Sequence, residues 1–285
     1  MSGARPPRPA VVVLLAVCCL LALVYFLLPS TSRHIIQPST TPAKSVVPST
    51  PVHPTSASRP TPASAAAITI VLDDFGASWV DVDRCLALPN AVVIAVIPHL
   101  RDSVKVAREA SARGFDVILH QPMEPHTFPK EDPGKYGVYT GQSAEEVSAI
   151  LGENLSSLGI APVGVNNHMG SKATESEETM RIFFDAFPRD LIFLDSRTSE
   201  KSVAYDVARS LGIRALKNNV FLDNVHDSEG IGKNFDMLIR MARSRGHALA
   251  IGHVYSSTLL DVLEARLPPL SESGVRLARL SEIAE

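Results

Sequence analysis

Two aspartates stand side by side in the stretch ITIVLDDFG, residues 68–76, at the end of an apolar run. Adjacent carboxylates repel each other, and a strand-to-helix turn uses at most one acid as a cap. A cation would relieve that repulsion, and further polar residues, three histidines among them, close or follow the later apolar runs. His120 ends the run DVILH, Asn166, Asn167 and His168 end or follow PVGV, Asp195 closes LIFLD, Asp223 follows the run 214–222, and His253 follows ALAIG. Imidazole nitrogens with a carboxylate oxygen are a common zinc set. They leave a position open for water, whose acidity the metal raises toward neutral pH. One aspartate can then hold the metal while its neighbour serves water as general base, because consecutive residues of a strand project in different directions.

These residues meet only if their strands end at one rim. Apolar runs at 68–73, 91–97, 116–120, 162–166, 191–195, 214–222, 248–252 and 275–280 read as strands. Amphipathic stretches between them read as helices. Ser143 with Glu146 and Thr174 with Glu177 have capping-box spacing, and Gly114, Gly159, Gly212 and Gly246 stand where helices should stop. Strands alternating with helices imply a parallel sheet covered by helices, with chemistry beyond the carboxyl ends of the strands. About eight strands in 68–285 suit a closed or nearly closed barrel, small for the (β/α)8 type, with an open doubly wound sheet as the alternative. No G-x-G-x-x-G or Walker glycine run follows any strand, which argues against nucleotide binding.

The remaining sequence divides sharply by composition. The 285 residues carry a formal net charge of -3, with no basic face for nucleic acid. Residues 10–28 are uninterrupted apolar sequence, preceded by Arg5 and Arg8. That length suits a transmembrane helix with its amino terminus inside, within a signal-anchor segment 1–28. Ser30 and Ser32 leave a cleaved signal peptide as the alternative. Residues 29–67, rich in Pro, Ser and Thr, read as a disordered linker holding domain 68–285 in the periplasm or otherwise outside the cytoplasmic membrane. Cys85 is the one cysteine of the domain, so no disulfide framework exists there. The pattern carries no signal of oligomeric state.

The motifs VLDDFG, LHQPMEP, VNNHMGSKAT, LDSRTS and AIGHVY, in that order, resemble the divergent polysaccharide deacetylases, a branch of the NodB-like carbohydrate esterases. The resemblance covers essentially all of 68–285. It implies a distorted (β/α) barrel holding one divalent metal, often zinc, and hydrolysis of acetyl groups on an envelope or extracellular polysaccharide. Carried over by position, Asp73 is the general base, Asp74 the metal carboxylate, His120 the first metal histidine and His253 the general acid. Three departures follow, one being the absence of the family's tryptophan-bearing acidic motif, for which Asp195 and Arg197 are the nearest substitutes. The second histidine expected four residues after the first is Glu124 here, and the expected arginine-proline motif is replaced by Asn166-Asn167-His168-Met169-Gly170. His168 is therefore the suggested replacement ligand, with Glu124 as an alternative ligand or a holder of His120. Asn167, Asp195 and Arg197 are second-layer or substrate candidates. Arg197 either pairs with Asp73, or Asp195 and Arg197 form a surface ion pair and a helix cap.

Other residues carry plainer readings. His99 reads as structural, and His126, His226 and His247 as surface residues. Trp79 and Tyr136 read as packing, with sugar stacking as the alternative. Gly76 and Gly170 suit turns needing positive φ. The long loop 121–142 reads as a wall of the substrate cleft. A catalytically inactive binder of glycan or of an envelope partner on the same barrel is the alternative function. Retention of both Asp73 and His253 argues against it. A sugar-binding or isomerase-type barrel without metal would require the histidines to cluster by accident.

Overall fold

The computed structural model describes residues 66–284. The expected membrane span at 10–28 and the linker up to residue 65 lie outside the described residues. Among the described residues no helix is long and apolar enough to cross a membrane.

Strands and helices alternate along the chain. They run β1 (Ala66–Phe75), α1 (Val82–Cys85), β2 (Val93–Val96), α2 (Ser103–Ala112), β3 (Asp116–Met123), α3 (Ala144–Ser157) and β4 (Gly164–Met169). There follow α4 (Glu177–Asp185), β5 (Ile192–Asp195), α5 (Ala204–Ser210), β6 (Ala215–Lys217), β7 (Val220–Phe221) and α6 (Ser228–Arg245). The chain ends with β8 (His247–His253), α7 (Ser257–Arg266), β9 (Val275–Leu277) and α8 (Leu280–Ile283). All strand pairs are parallel, in the order β6-β5-β4-β3-β2-β1-β8-β7, with β9 added to β1. The result is a curled half-barrel rather than a ring of mutually paired strands.

The seam of the curl has an unusual construction. The sequence suggests one strand over 214–222, but β6 pairs with β5 and, two residues later, β7 pairs with β8. Asn218 and Asn219 step from one sheet edge to the other, their backbone N–H groups donating to Asp195 O and Leu249 O. The gap is spanned covalently.

Side chains alternate along each strand between two cores. Ile70 and Leu72 of β1, Ile94 of β2 and Phe193 of β5 face the large core under the helices. Val71, Ala95, Ile118, Leu194 and Ile251 face a smaller core enclosed by the curl, which Leu280 and Ala284 of the C-terminal segment help fill. Helix caps follow local chemistry. Ser143 and Glu146 form the full capping box of α3. For α4 the cap is Ser176, accepting from Thr179 N, and not Thr174, whose hydroxyl donates to Gly170 O inside a short 3-10 turn.

Candidate functional site

The site continues the inner face of the curl. Two residues beyond Val71 comes Asp73, beyond Ile118 comes His120, and beyond Ile251 comes His253, so the period of two that fills the small core also aims these groups at its mouth. His120 is the register partner of Asn166, and Asp73 of His253. His168, two residues past Asn166, shares its face nearer the mouth.

A regular strand would send Asp74 to the opposite side from Asp73. It does not, because β1 is bulged there. Leu72 pairs with Ile94 but Phe75 with Val96, so β1 spends an extra residue on the interval. Asp74 takes φ 70°, a left-handed conformation that Asp tolerates better than most residues. Both carboxylates consequently face His120. Asp73 Oδ2 lies 3.5 Å and Asp74 Oδ1 3.1 Å from its Nε2.

Asp74, His120 and His168 form a tight triangle. Asp74 Oδ1 is 3.0 Å from His168 Nδ1, and that nitrogen is 3.2 Å from His120 Nε2. The His120 tautomer is set from behind. Its Nδ1–H donates to Asn166 Oδ1 at 2.8 Å, which leaves Nε2 facing the triangle, where it holds a proton or offers its lone pair. Three acceptor atoms so close repel one another unless a proton or cation lies among them. Tetrahedral zinc bonds of about 2.0–2.2 Å to nitrogen and oxygen separate neighbouring ligand atoms by about 3.3–3.6 Å, so the donor set fits a divalent cation after opening by a few tenths of an ångström. Backbone strain accompanies the cluster, since Met169, directly after His168, has φ 54°. Gly170 next to it has φ 86°, and a Cβ there would meet Met123 Cβ at 2.9 Å.

Asn166 ties the triangle to Asp73. Its Nδ2–H donates to Asp73 Oδ1 at 3.0 Å and Oδ2 at 3.2 Å. An ionised carboxylate only accepts, so this contact fixes which way the amide points and therefore what His120 meets. Asp73 is buried. Burial, with the charge of Asp74, pushes its carboxyl up against the opposing pull of His120, His253 and Asn166. Burial also opposes ionisation of Asp74, but the hydrogen bonds and charge of His120 and His168 outweigh it and hold that carboxyl well below the ordinary range. His120 is pushed up, its burial overcome by Asp73 and Asp74.

His253 stands on the other side, half-buried, with Asp223 behind it. Asp223 accepts from His253 Nδ1–H at 3.0 and 3.2 Å and from the His253 backbone N–H at 2.9 Å. Burial disfavours the imidazolium, but Asp223, reinforced by Asp73 and Asp74, raises the His253 pKa overall. With Nδ1 held by Asp223, Nε2 is the nitrogen left to exchange a proton.

Other expected participants lie elsewhere. Glu124 does not touch His120. Its Oε1 accepts from Lys172 Nζ at 2.7 Å and its Oε2 from Thr140 N and Oγ1 at 2.8 and 2.6 Å, so it pins loop 121–142 instead. Arg197 does not pair with Asp73, because its guanidinium donates to Glu200 O. Asp195 accepts from Arg197 N, Ser202 Oγ and Tyr205 N, and so organises the turn after β5. Asn167 points to the other face of β4, where its Oδ1 accepts from Ser196 N and its Nδ2–H donates to Met169 O.

His99 Nε2 meets Asn154 Oδ1 at 3.0 Å and stacks on Tyr136, a structural pairing that also occupies the Tyr136 ring. Trp79 lies under Lys105 Nζ with its indole N–H on Asp83. His126 and His226 are exposed, whereas His247 is half-buried at the start of β8 against Thr69. A cleft of about 660 Å³ beside His253 is lined by residues of 198–258 and by none from loop 121–142, so this cleft lacks the wall expected from that loop. The sequence places Asn166 and Asp223 at strand ends without saying what they touch, and it gives no sign of Tyr255. The signal for Asn166 and Asp223 was their position at strand ends beside the histidines.

Comparison with known proteins places the chain among relatives. The model of the divergent polysaccharide deacetylase family matches residues 70–284. An uncharacterised protein of Haemophilus influenzae is 35% identical over 206 residues, covering 72% of each chain. Escherichia coli YibQ is 34% identical over 211 residues, 73% of this chain and 65% of the relative. The solved structure of an uncharacterised Agrobacterium tumefaciens protein shares the fold at a TM-score of 0.72 and 21% identity, covering 78% of this chain and 91% of that one.

Proposed function

The chain belongs to the divergent polysaccharide deacetylase family, and on that premise we propose that it is a metal-dependent hydrolase that removes acetyl groups from a polysaccharide. Asp74, His120 and His168 would hold the divalent cation, and their two nitrogens and one oxygen favour zinc. When bound, such a cation polarises an acyl carbonyl and acidifies water. Asp73 takes the proton from the attacking water as general base, oriented by the two hydrogen bonds from Asn166. His253 gives a proton to the departing amine or alkoxide as the C–N or C–O bond breaks. Acetate and a free amine or hydroxyl are the products. Asp223 keeps the ring of His253 aligned for that transfer.

One observation carries this reading. A buried carboxylate beside the ligand triangle and a carboxylate-backed imidazole occupy register positions on neighbouring strands, Asp73 opposite His253. A protein that only binds glycan has no use for such a pair. The test is to assay acetate release from N- and O-acetylated oligosaccharides, with metal content measured on the same protein. Stoichiometric zinc with acetate release that a chelator abolishes and zinc restores is the expected outcome. Full zinc with no release from any acetylated glycan would refute the hydrolase. The apolar stretch 10–28 further supports a place in the cell envelope, with the domain outside the cytoplasmic membrane. Fractionation with protease protection tests it.

A further inference from the structure

The cleft beside His253 differs in character from the triangle. Phe221, His253 and Tyr255 hold their rings nearly parallel, Phe221 to His253 at 8° and 6.1 Å, His253 to Tyr255 at 18° and 5.2 Å. Tyr255 is 69% exposed, the exposed aromatic ring beside His253 among the described residues. It lines both the cleft of about 660 Å³ and a smaller one of about 210 Å³ that reaches Asp74. The larger volume lies within the range of about 300–1,000 Å³ typical of small-ligand sites. Apart from the proposed acid His253 and the exposed His226, its polar groups are neutral, among them Asn224, Ser257 and Thr258, while the buried Asp223 is committed to His253.

A saturated sugar ring matches this surface. Its C–H face stacks on an aromatic ring and its hydroxyls bond neutral donors and acceptors at the edge. Accepting the deacetylase reading, we propose that this cleft is a subsite for a neutral sugar unit adjoining the acetylated one, with Tyr255 as its stacking platform.

The test is binding of tetrasaccharides, namely tetra-N-acetylchitotetraose, acetylated xylotetraose and tetragalacturonate. Saturation-transfer NMR and calorimetry would compare the wild type with Tyr255→Ala and Tyr255→Phe. At least one neutral tetrasaccharide should bind the wild type and Tyr255→Phe alike, and about tenfold more weakly to Tyr255→Ala. Equal binding to Tyr255→Ala, no binding of either neutral chain, or binding of tetragalacturonate alone would overturn the proposal. Because Tyr255 is exposed, unchanged thermal melts would exclude misfolding. Tyr255-dependent binding by a wild type that releases no acetate would sink the hydrolase and leave the subsite standing.

Discussion

The carboxamide oxygen of Asn166 takes the Nδ1–H of His120 at 2.8 Å across adjacent strands in register. The same amide donates both contacts to Asp73, so one residue orients the proposed ligand nitrogen and holds the proposed base in place. Asn166→Ala releases both. Metal affinity should fall about 10- to 100-fold, as for other outer-layer partners of metal histidines. Chelator competition measures it, and an unchanged affinity would show that His120 needs no help.

Substitution separates ligation from proton transfer. Asp74→Ala and His168→Ala should lose the metal, while Asp73→Asn should keep it and lose turnover. Elemental analysis of the three proteins decides, and a full complement of metal in His168→Ala would remove that residue from the ligand set.

Glu124 gives the opposite expectation. Its carboxylate is taken by Lys172 and Thr140, so Glu124→Gln should bind metal as the wild type does. The loop it anchors should be cut faster by protease. Loss of metal without faster cleavage would return Glu124 to the site.

Asp223→Asn removes the charge that most raises the His253 pKa. As general acid His253 must be protonated, so activity falls as pH rises through its pKa. In Asp223→Asn that alkaline limb should move to lower pH, with kcat down about 100-fold or more. A pH profile of kcat with its limb unmoved would assign the limb to another group.

His247 predicts an acid-side loss of stability. Burial, aided by the charge of Arg276, pushes its pKa down to about 4 from an ordinary 6.5. Between those values the unfolded chain binds a proton that the folded protein refuses, so stability decreases as pH falls through that window. The effect is of the order of 1–2 kcal/mol after allowing for solvent screening. Urea titrations at pH 7.5 and pH 4.5 should show a smaller drop for His247→Gln than for the wild type. Equal drops would locate the acid sensitivity elsewhere.

The gathering of Asp73, Asp74, His120 and His253 at one rim was expected from the sequence because each extends or closes an apolar run and parallel strands end together, whereas the choice of His168 came from the family resemblance. What was hidden depended on register between strands distant in sequence. Asn166 acquires a partner only once β3 and β4 are aligned, and it meets Asp73 across 93 residues of chain. The bulge that turns Asp74 beside Asp73 leaves no mark in composition. The run 214–222 looked like one strand because pairing with two different neighbours, not side-chain type, divides it. Arg197 seemed a natural mate for Asp73 by charge alone, but the turn after β5 carries it to Glu200. Tyr255 went unnoticed beside Trp79 and Tyr136, although Lys105 covers the first and His99 the second, while Tyr255, stacked on His253, stays 69% exposed.

The first strand carries both acids, yet two of its neighbours, β8 and β9, come from the far end of the chain. Thr69 even closes a hydrogen bond to Ala278, 209 residues away. Long-range parallel pairing of this kind forms late and slowly. A ribosome must therefore release nearly the whole domain before Asp73 and Asp74 have walls to lie between, and no partial product can hold the cation through a finished site. The cation proposed for this site would then be chosen where folding ends, from whatever metals that compartment offers.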